Sequence, residues 1–213
     1  MSFDHNDHYH RLLLRQVPQN CRTALDVGCG TGRFARRLAA LGIEVDAFDS
    51  ASEVIGAACA EPGEAAGGSR SPNFWVADLG DVDLPRGRYD FISCLASIHH
   101  LPFDTVVRLR EALAPGGVLV ILGCYPERSR LDWAWSLAAV PVNAVARFVV
   151  AARERVRTAR TPQKDVPVGI QAPVKQPEMS YEEIRAEASV LLPGSTLRRL
   201  LFWRYLLTFH QPT

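Results

Sequence analysis

Five short hydrophobic runs punctuate the first 123 residues, and turn-rich or amphipathic stretches separate them. TALDV (residues 23–27) is a compact apolar run closed by glycine, the pattern of a buried strand. Residues 33–41 place Phe34, Leu38 and Leu41 at helical spacing, with arginines on the opposite face. Residues 43–48 form a second strand-like run, so strand, glycine turn, helix and strand make a βαβ unit. Such a unit implies a right-handed crossover and a parallel sheet. NFWVADL (73–79) predicts a third strand ending in Asp78, and YDFISCLASIHHL (89–101) a fourth strand running into two histidines. A helix and a fifth strand, LAPGGVLVILG (113–123), follow.

Near the C-terminus, PGSTLRRLLFWRYLLTFHQ (193–211) reads as two strands joined through residues 203–205. Ser180 and Glu183 have capping-box spacing, which starts a helix running to about residue 192. That makes seven strands without an internal repeat. Residues 124–179 break the rhythm. Within them, residues 131–157 are nearly continuously apolar for about 20 residues, the length of a membrane span. Pro141, Asn143 and Arg147 interrupt the run, and a charge at mid-span costs about 2.5–3.5 kcal/mol even on lenient scales. We expect two helical pieces broken near Pro141 and packed as a substrate lid, with an interfacial membrane helix as the alternative. Between residues 130 and 160, six arginines stand against Asp132 and Glu154, a balance of +4. Such a face attracts anionic lipid or an anionic substrate, or is simply solvated. Pro162, Pro167, Pro173 and Pro177 then keep the return segment extended, and a loop wrapped over the active site is expected.

Composition narrows the partners. The chain has 213 residues, 47% hydrophobic and 22% charged, which is ordinary for one soluble globular domain. Its net charge of +1 argues against broad binding to nucleic acid, which needs a concentrated basic field. Five cysteines, with no CxxC pair, fit reduced thiols better than a disulfide framework or a zinc site. The polar, acidic MSFDHNDHYH start has no signal-peptide pattern, so a cytoplasmic location is expected.

The chemistry concentrates in ALDVGCGTGRFARRLAALGIEVDAFDS (24–50). Gly28, Gly30 and Gly32 let the backbone approach a ligand, and the helix after them offers unpaired N–H groups. Asp49, at the end of the second strand, stands where a carboxylate accepts both hydroxyls of a ribose. A nucleoside ligand is therefore expected. A dinucleotide fingerprint, G-x-G-x-x-G, would place its third glycine at position 33, which is Arg33. On its own the glycine triplet is also satisfied by a tight strand-to-helix turn. Acids ending successive strands, at Asp49 and Asp78, make the ligand reading the stronger one.

Together these motifs resemble the class I methyltransferases that use S-adenosyl-L-methionine, in their small-molecule branch. The resemblance covers residues 24–123, and Pro-Gly-Gly at 115–117 is a further family mark. It implies an α/β, Rossmann-like seven-stranded sheet with helices on both faces, the last strand antiparallel and a helical insertion before the final helix. The implied organisation is one domain over residues 1–213. Residues 1–20 would cover the cofactor, 21–123 form its core, 124–179 insert as the lid and 180–213 close the sheet. By the same resemblance Gly28, Cys29 and Gly30 approach the methionine part of the cofactor, and Asp26 fixes the loop and the ligand's amino group. Asp49 binds the ribose, Asp78 and Leu79 meet the adenine, and Cys94 lines the methionine end. Tyr9 and His10 belong to the N-terminal cover, and no metal is expected, despite His5, His8 and His10 standing close in sequence.

His99 or His100 is the candidate base, because imidazole titrates near neutrality; of the two we favour His100. The expected partner is a small methyl acceptor, apolar or aromatic in keeping with Trp133, Trp135 and Phe148. Two other classes stay open. One is a membrane-surface methyltransferase of a quinone-like or lipid acceptor, touching the membrane through residues 131–157. The other is a non-catalytic module that holds the cofactor.

Overall fold

A computed structural model describes residues 5–61, 71–95, 98, 102–126, 177–200 and 203–213. Seven strands form one sheet: β1 (Thr23–Val27), β2 (Glu44–Asp49), β3 (Asn73–Val76), β4 (Tyr89–Leu95), β5 (Leu113–Cys124), β6 (Thr196–Arg199) and β7 (Arg204–His210). Five α-helices are described, α1 (His5–Leu14), α2 (Arg33–Ala39), α3 (Ser52–Ala60), α4 (Val106–Ala112) and α5 (Tyr181–Leu191), with a short 3-10 turn, Phe103–Thr105, leading into α4. The expected lid, with Trp133, Trp135 and Phe148, and the pair His99 and His100 lie outside the described residues.

The strand order is β3-β2-β1-β4-β5-β7-β6. Strands β1 to β5 pair in parallel, and β7 runs antiparallel to both β5 and β6. The Rossmann-like methyltransferase sheet expected from the sequence is present. Its central strands are buried on both sides because successive side chains point to opposite faces. On one face Leu25, Ile92, Leu119 and Ile121 meet Val106 and Leu109 of α4 and Ile184 of α5. On the other, Ala24, Phe91, Val118 and Val120 meet Leu13 of α1 and Phe34 and Leu38 of α2. Each fully buried Leu, Ile, Val or Phe contributes about 1.5–3 kcal/mol.

The chain winds outward from β1 through β2 to β3, then returns to β4 on the other side of β1. This reversal is a switch point, and in open α/β sheets the crevice outside the strand C-termini there holds the ligand. The candidate site is therefore built up from the ends of these strands.

Several boundaries differ from the sequence expectation. Helix α2 stops at Ala39 instead of reaching Leu41: the chain tightens through Leu41 N–H to Leu38 O and Gly42 N–H to Ala39 O. Leu41 is left 59% exposed, so it is no part of the buried face. β3 ends at Val76 instead of Leu79. Ala77 N–H still donates to Asp49 O, after which Asp78 closes a turn and puts itself and Leu79 in a loop. Tyr205 is not in the β6–β7 connection but inside β7, because it pairs with Gly123, whose missing side chain leaves room for its ring. The capping box is as expected: Glu183 N–H donates to Ser180 Oγ, and Ser180 N–H to the Glu183 carboxylate.

Candidate active site

After β1 the chain turns through Gly28, Gly30 and Gly32 with φ of 65°, 56° and 76°. A residue with a side chain pays about 1–2 kcal/mol in that left-handed region. The space beside two of them differs. A Cβ on Gly30 would meet nothing within 4 Å, so bare backbone faces open space there. A Cβ on Gly32 would come within 2.4 Å of the Phe74 ring. The loop is tied to β2 by Cys29 N–H donating to Phe48 O at 3.0 Å.

Asp49 extends this tie. Its Oδ2 accepts Gly30 N–H at 3.0 Å and its Oδ1 accepts Ala51 N–H at 3.0 Å. Each carboxylate oxygen keeps a second lone pair, so the group can orient the loop and still accept two vicinal hydroxyls. One strand further out, the Ala77–Asp49 backbone bond holds the start of the 78–82 loop beside Asp49. Asp78 Oδ1 accepts Gly80 N–H at 2.8 Å in a tight turn. Leu79 puts its side chain into the core at 3% exposure, so only its backbone is offered to a ligand.

Asp26 lies beneath the loop, 1% exposed. Ser93, its partner across β1 and β4, donates its hydroxyl at 2.7 Å. Burial pushes the Asp26 carboxyl up to about 7, and the nearby Asp49 charge adds to it, while Ser93 and the Ala35 N–H pull it back down. Near neutral pH this carboxyl is thus poised between acid and anion.

The structure therefore gathers Asp26, Gly28, Cys29, Gly30 and Asp49 in one place and sets Asp78 and Leu79 alongside. Tyr9 and His10 are 6% and 3% exposed; Tyr9 joins the core against α2, and the His10 ring stands 5.1 Å from Phe34. Cys94 is fully buried, its side chain in the core with Tyr205, so β4 offers its end there and not this thiol. Two contributors escaped the sequence reading. Ser93 is one, visible only once β1 and β4 are paired. Arg108 on α4 is the other: its guanidinium donates to Leu79 O at 2.8 Å and also to the carbonyls of Gly80 and Val82. No spacing rule links a helix arginine to a loop 26–29 residues earlier.

A bare glycine backbone, a strand-end carboxylate with free lone pairs and a loop pairing a carboxylate with a backbone amide suit an adenosyl group. Comparison with known proteins agrees. A methyltransferase domain model matches residues 24–117. Methyltransferases of Mycobacterium bovis and Mycobacterium tuberculosis, themselves uncharacterised, are 31% identical over 97% of this chain and 96% of their own length. A ubiquinone biosynthesis O-methyltransferase of Xanthomonas oryzae is 30% identical over 59% of this chain and 51% of its own. Magnesium protoporphyrin IX methyltransferase of Synechocystis, solved with S-adenosylmethionine bound, has the same fold: TM-score 0.58 at 17% identity, over 97% of this chain and 77% of that one. The chain belongs to the class I S-adenosyl-L-methionine-dependent methyltransferases.

Proposed function

We propose that the chain methylates a small apolar or aromatic metabolite. The observation that carries this reading is Trp203. It lies between β6 and β7, beside the C-terminal end of β5, because its carbonyl accepts Tyr125 N–H at 3.1 Å. Trp203 has φ of 56° and is 48% exposed. A bulky residue in the left-handed region is an outlier, and such strain is retained where the surroundings require a given presentation. Tyr125 is edge-on to Tyr181, with ring centroids 5.5 Å apart, and the Arg199 guanidinium lies 4.0 Å from the Tyr181 centroid. Tyr125 is itself buried at 3% exposure, so these rings back the edge from within, and the Trp203 ring is the exposed aromatic surface on the half of the sheet edge opposite Asp49. That surface favours a flat or apolar acceptor over a highly polar one. The partial similarity to ubiquinone biosynthesis O-methyltransferases supports the same acceptor class.

When bound, the cofactor supplies a methyl group activated on a sulfonium centre. The protein's task is to hold the acceptor lone pair in line with it and to exclude water. For a hydroxyl acceptor we assign proton removal to His100, with His99 beside it, since both come shortly after the end of β4 in the chain. A screen of phenolic, quinol and aliphatic acceptors, read by mass spectrometry for a gain of about 14 Da, tests the reading. Methylation of polar aliphatic compounds alone would sink it. His100→Ala is expected to lower turnover of a phenolic acceptor about 10²–10⁴-fold. Full turnover in that variant with loss in His99→Ala would transfer the role to the other histidine.

The similarity to enzymes of ubiquinone biosynthesis also favours a second reading, a quinone-like acceptor met at a membrane surface. Residues 131–157, within the 130–160 stretch whose balance is +4, would make the contact.

A further inference from the structure

We propose that Arg108 is a positioning residue for the adenine of the cofactor: from α4 it grips the loop after β3 and so sets the chain's preference for adenine over other purines. The proposal rests on the reading of Asp78 and Leu79 as adenine ligands.

The Leu79 side chain holds the 78–82 loop to the core, and turns within the loop shape its backbone. Asp78 O accepts Asp81 N–H at 3.1 Å and Val82 N–H at 2.9 Å, which curls the chain, and Asp78 Oδ1 accepts Gly80 N–H. The carbonyls of Leu79, Gly80 and Val82 then all turn toward one guanidinium. Arginine suits this task because its planar fork carries five donors in fixed directions; an ammonium group is a single point. The platform is rigid, since Val106, Leu109 and Ala112, on the same helix, are at most 1% exposed.

What remains unspent on the loop has a definite chemical sense. Among the described residues, Leu79 N–H donates to no acceptor and Asp78 Oδ2 accepts from no donor. The Ala77–Asp49 bond holds these two groups next to Asp49. An amide donor beside a carboxylate acceptor complements adenine, whose edge pairs a ring-nitrogen acceptor with an exocyclic amino donor. Hypoxanthine reverses both polarities. Asp78 is exposed and Leu79 buried in the free chain. A bound base covers both groups, and polar groups left unmatched under the wrong base cost affinity, so discrimination depends on how firmly both are aimed. Arg108 supplies that firmness without touching the base.

The test is calorimetric. Dissociation constants for S-adenosylhomocysteine and S-inosylhomocysteine are measured on the full chain, wild type and Arg108→Ala. Wild type is expected to prefer the adenosyl compound by at least about tenfold, the equivalent of one good hydrogen bond. In Arg108→Ala the adenosyl affinity should fall about tenfold while inosyl affinity changes little, so the ratio collapses toward one. A general loss of structure would weaken both ligands equally and keep the ratio. If Arg108→Ala does not fold, Arg108→Lys decides the matter by the same ratio, because it keeps charge and stem but cannot reach three carbonyls. A folded variant that retains the wild-type ratio overturns the proposal. If Asp78→Asn loses the ratio while the Arg108 variants keep it, the adenine reading stands and only the role of Arg108 falls. A wild type that binds both compounds equally overturns both.

Discussion

Asp49 serves two backbone donors, one in the glycine loop and one after β2, and its remaining lone pairs suit the ribose. Asp49→Ala should therefore lower cofactor affinity by about 1–3 kcal/mol, or about 5- to 150-fold, measured by calorimetry. An unchanged dissociation constant would remove Asp49 from the site. Asp26 has a different part to play, because its carboxyl is enclosed. The unfolded chain releases that proton near pH 3.8, whereas the fold retains it to about 7. Between those values the folded state binds more protons, so stability is lost as pH rises through the window and levels off above about 7. Asp26→Asn keeps an acceptor for the Ser93 hydroxyl and abolishes the titration. Urea melts of the two chains should diverge steadily as pH rises from about 4 to about 7, with the variant gaining most near pH 8. Parallel pH profiles would show that Asp26 does not titrate in this range. Neither behaviour could be read from the sequence, which located Asp49 at a strand end and Asp26 just before the glycines but did not show that Ser93 and Ala35 close over Asp26.

At the scale of elements, β1, the glycine turn and α2 were legible because their signals are local: an apolar run, a breaker and a helical period in succession. β3 ended early for a reason that spacing does not carry. Its ladder continues only as far as Ala77 N–H, and Asp78 then binds its own backbone. Tyr205 was misplaced in a turn because only the β5–β7 register shows that Gly123 faces it. Gly32 gives the clearest test of how elements constrain one another. It carries φ of 76° at the head of α2, and Phe74 of β3 occupies the space beside it. Gly32→Ala should cost about 1–2 kcal/mol from the backbone alone, with a further loss from displacing the ring. Adding Phe74→Ala should recover the second part but not the first, a non-additivity that a double-mutant cycle in urea would measure. Strict additivity would mean that the ring yields without cost.

Across the whole molecule, the two halves of the sheet edge differed in legibility. The cofactor half uses loops after β1, β2 and β3, each announced by glycine or by an acid that ends a hydrophobic run. The other half draws Tyr125 from just after β5, Tyr181 from α5, Arg199 from the end of β6 and Trp203 from the β6–β7 connection, and no spacing in the chain links them. The same division separates the two proposed settings for the reaction. No described helix is long and apolar enough to cross a membrane, and residues 131–157 lie outside the described set. The chain as a whole carries only +1, so the membrane setting draws its attraction to anionic lipid from the local +4 between residues 130 and 160. Exposed charges are screened beyond about 8 Å at physiological salt, and a polybasic stretch contributes about 1 kcal/mol per basic residue near an anionic surface. An acceptor drawn from solution predicts that the chain stays in the supernatant with phosphatidylserine vesicles at about 0.15 M salt. It also predicts that added vesicles leave methylation of a soluble phenol unchanged. Co-sedimentation that fades as salt rises, together with faster turnover of a vesicle-borne quinol, would reject the soluble setting and place the reaction at the membrane surface.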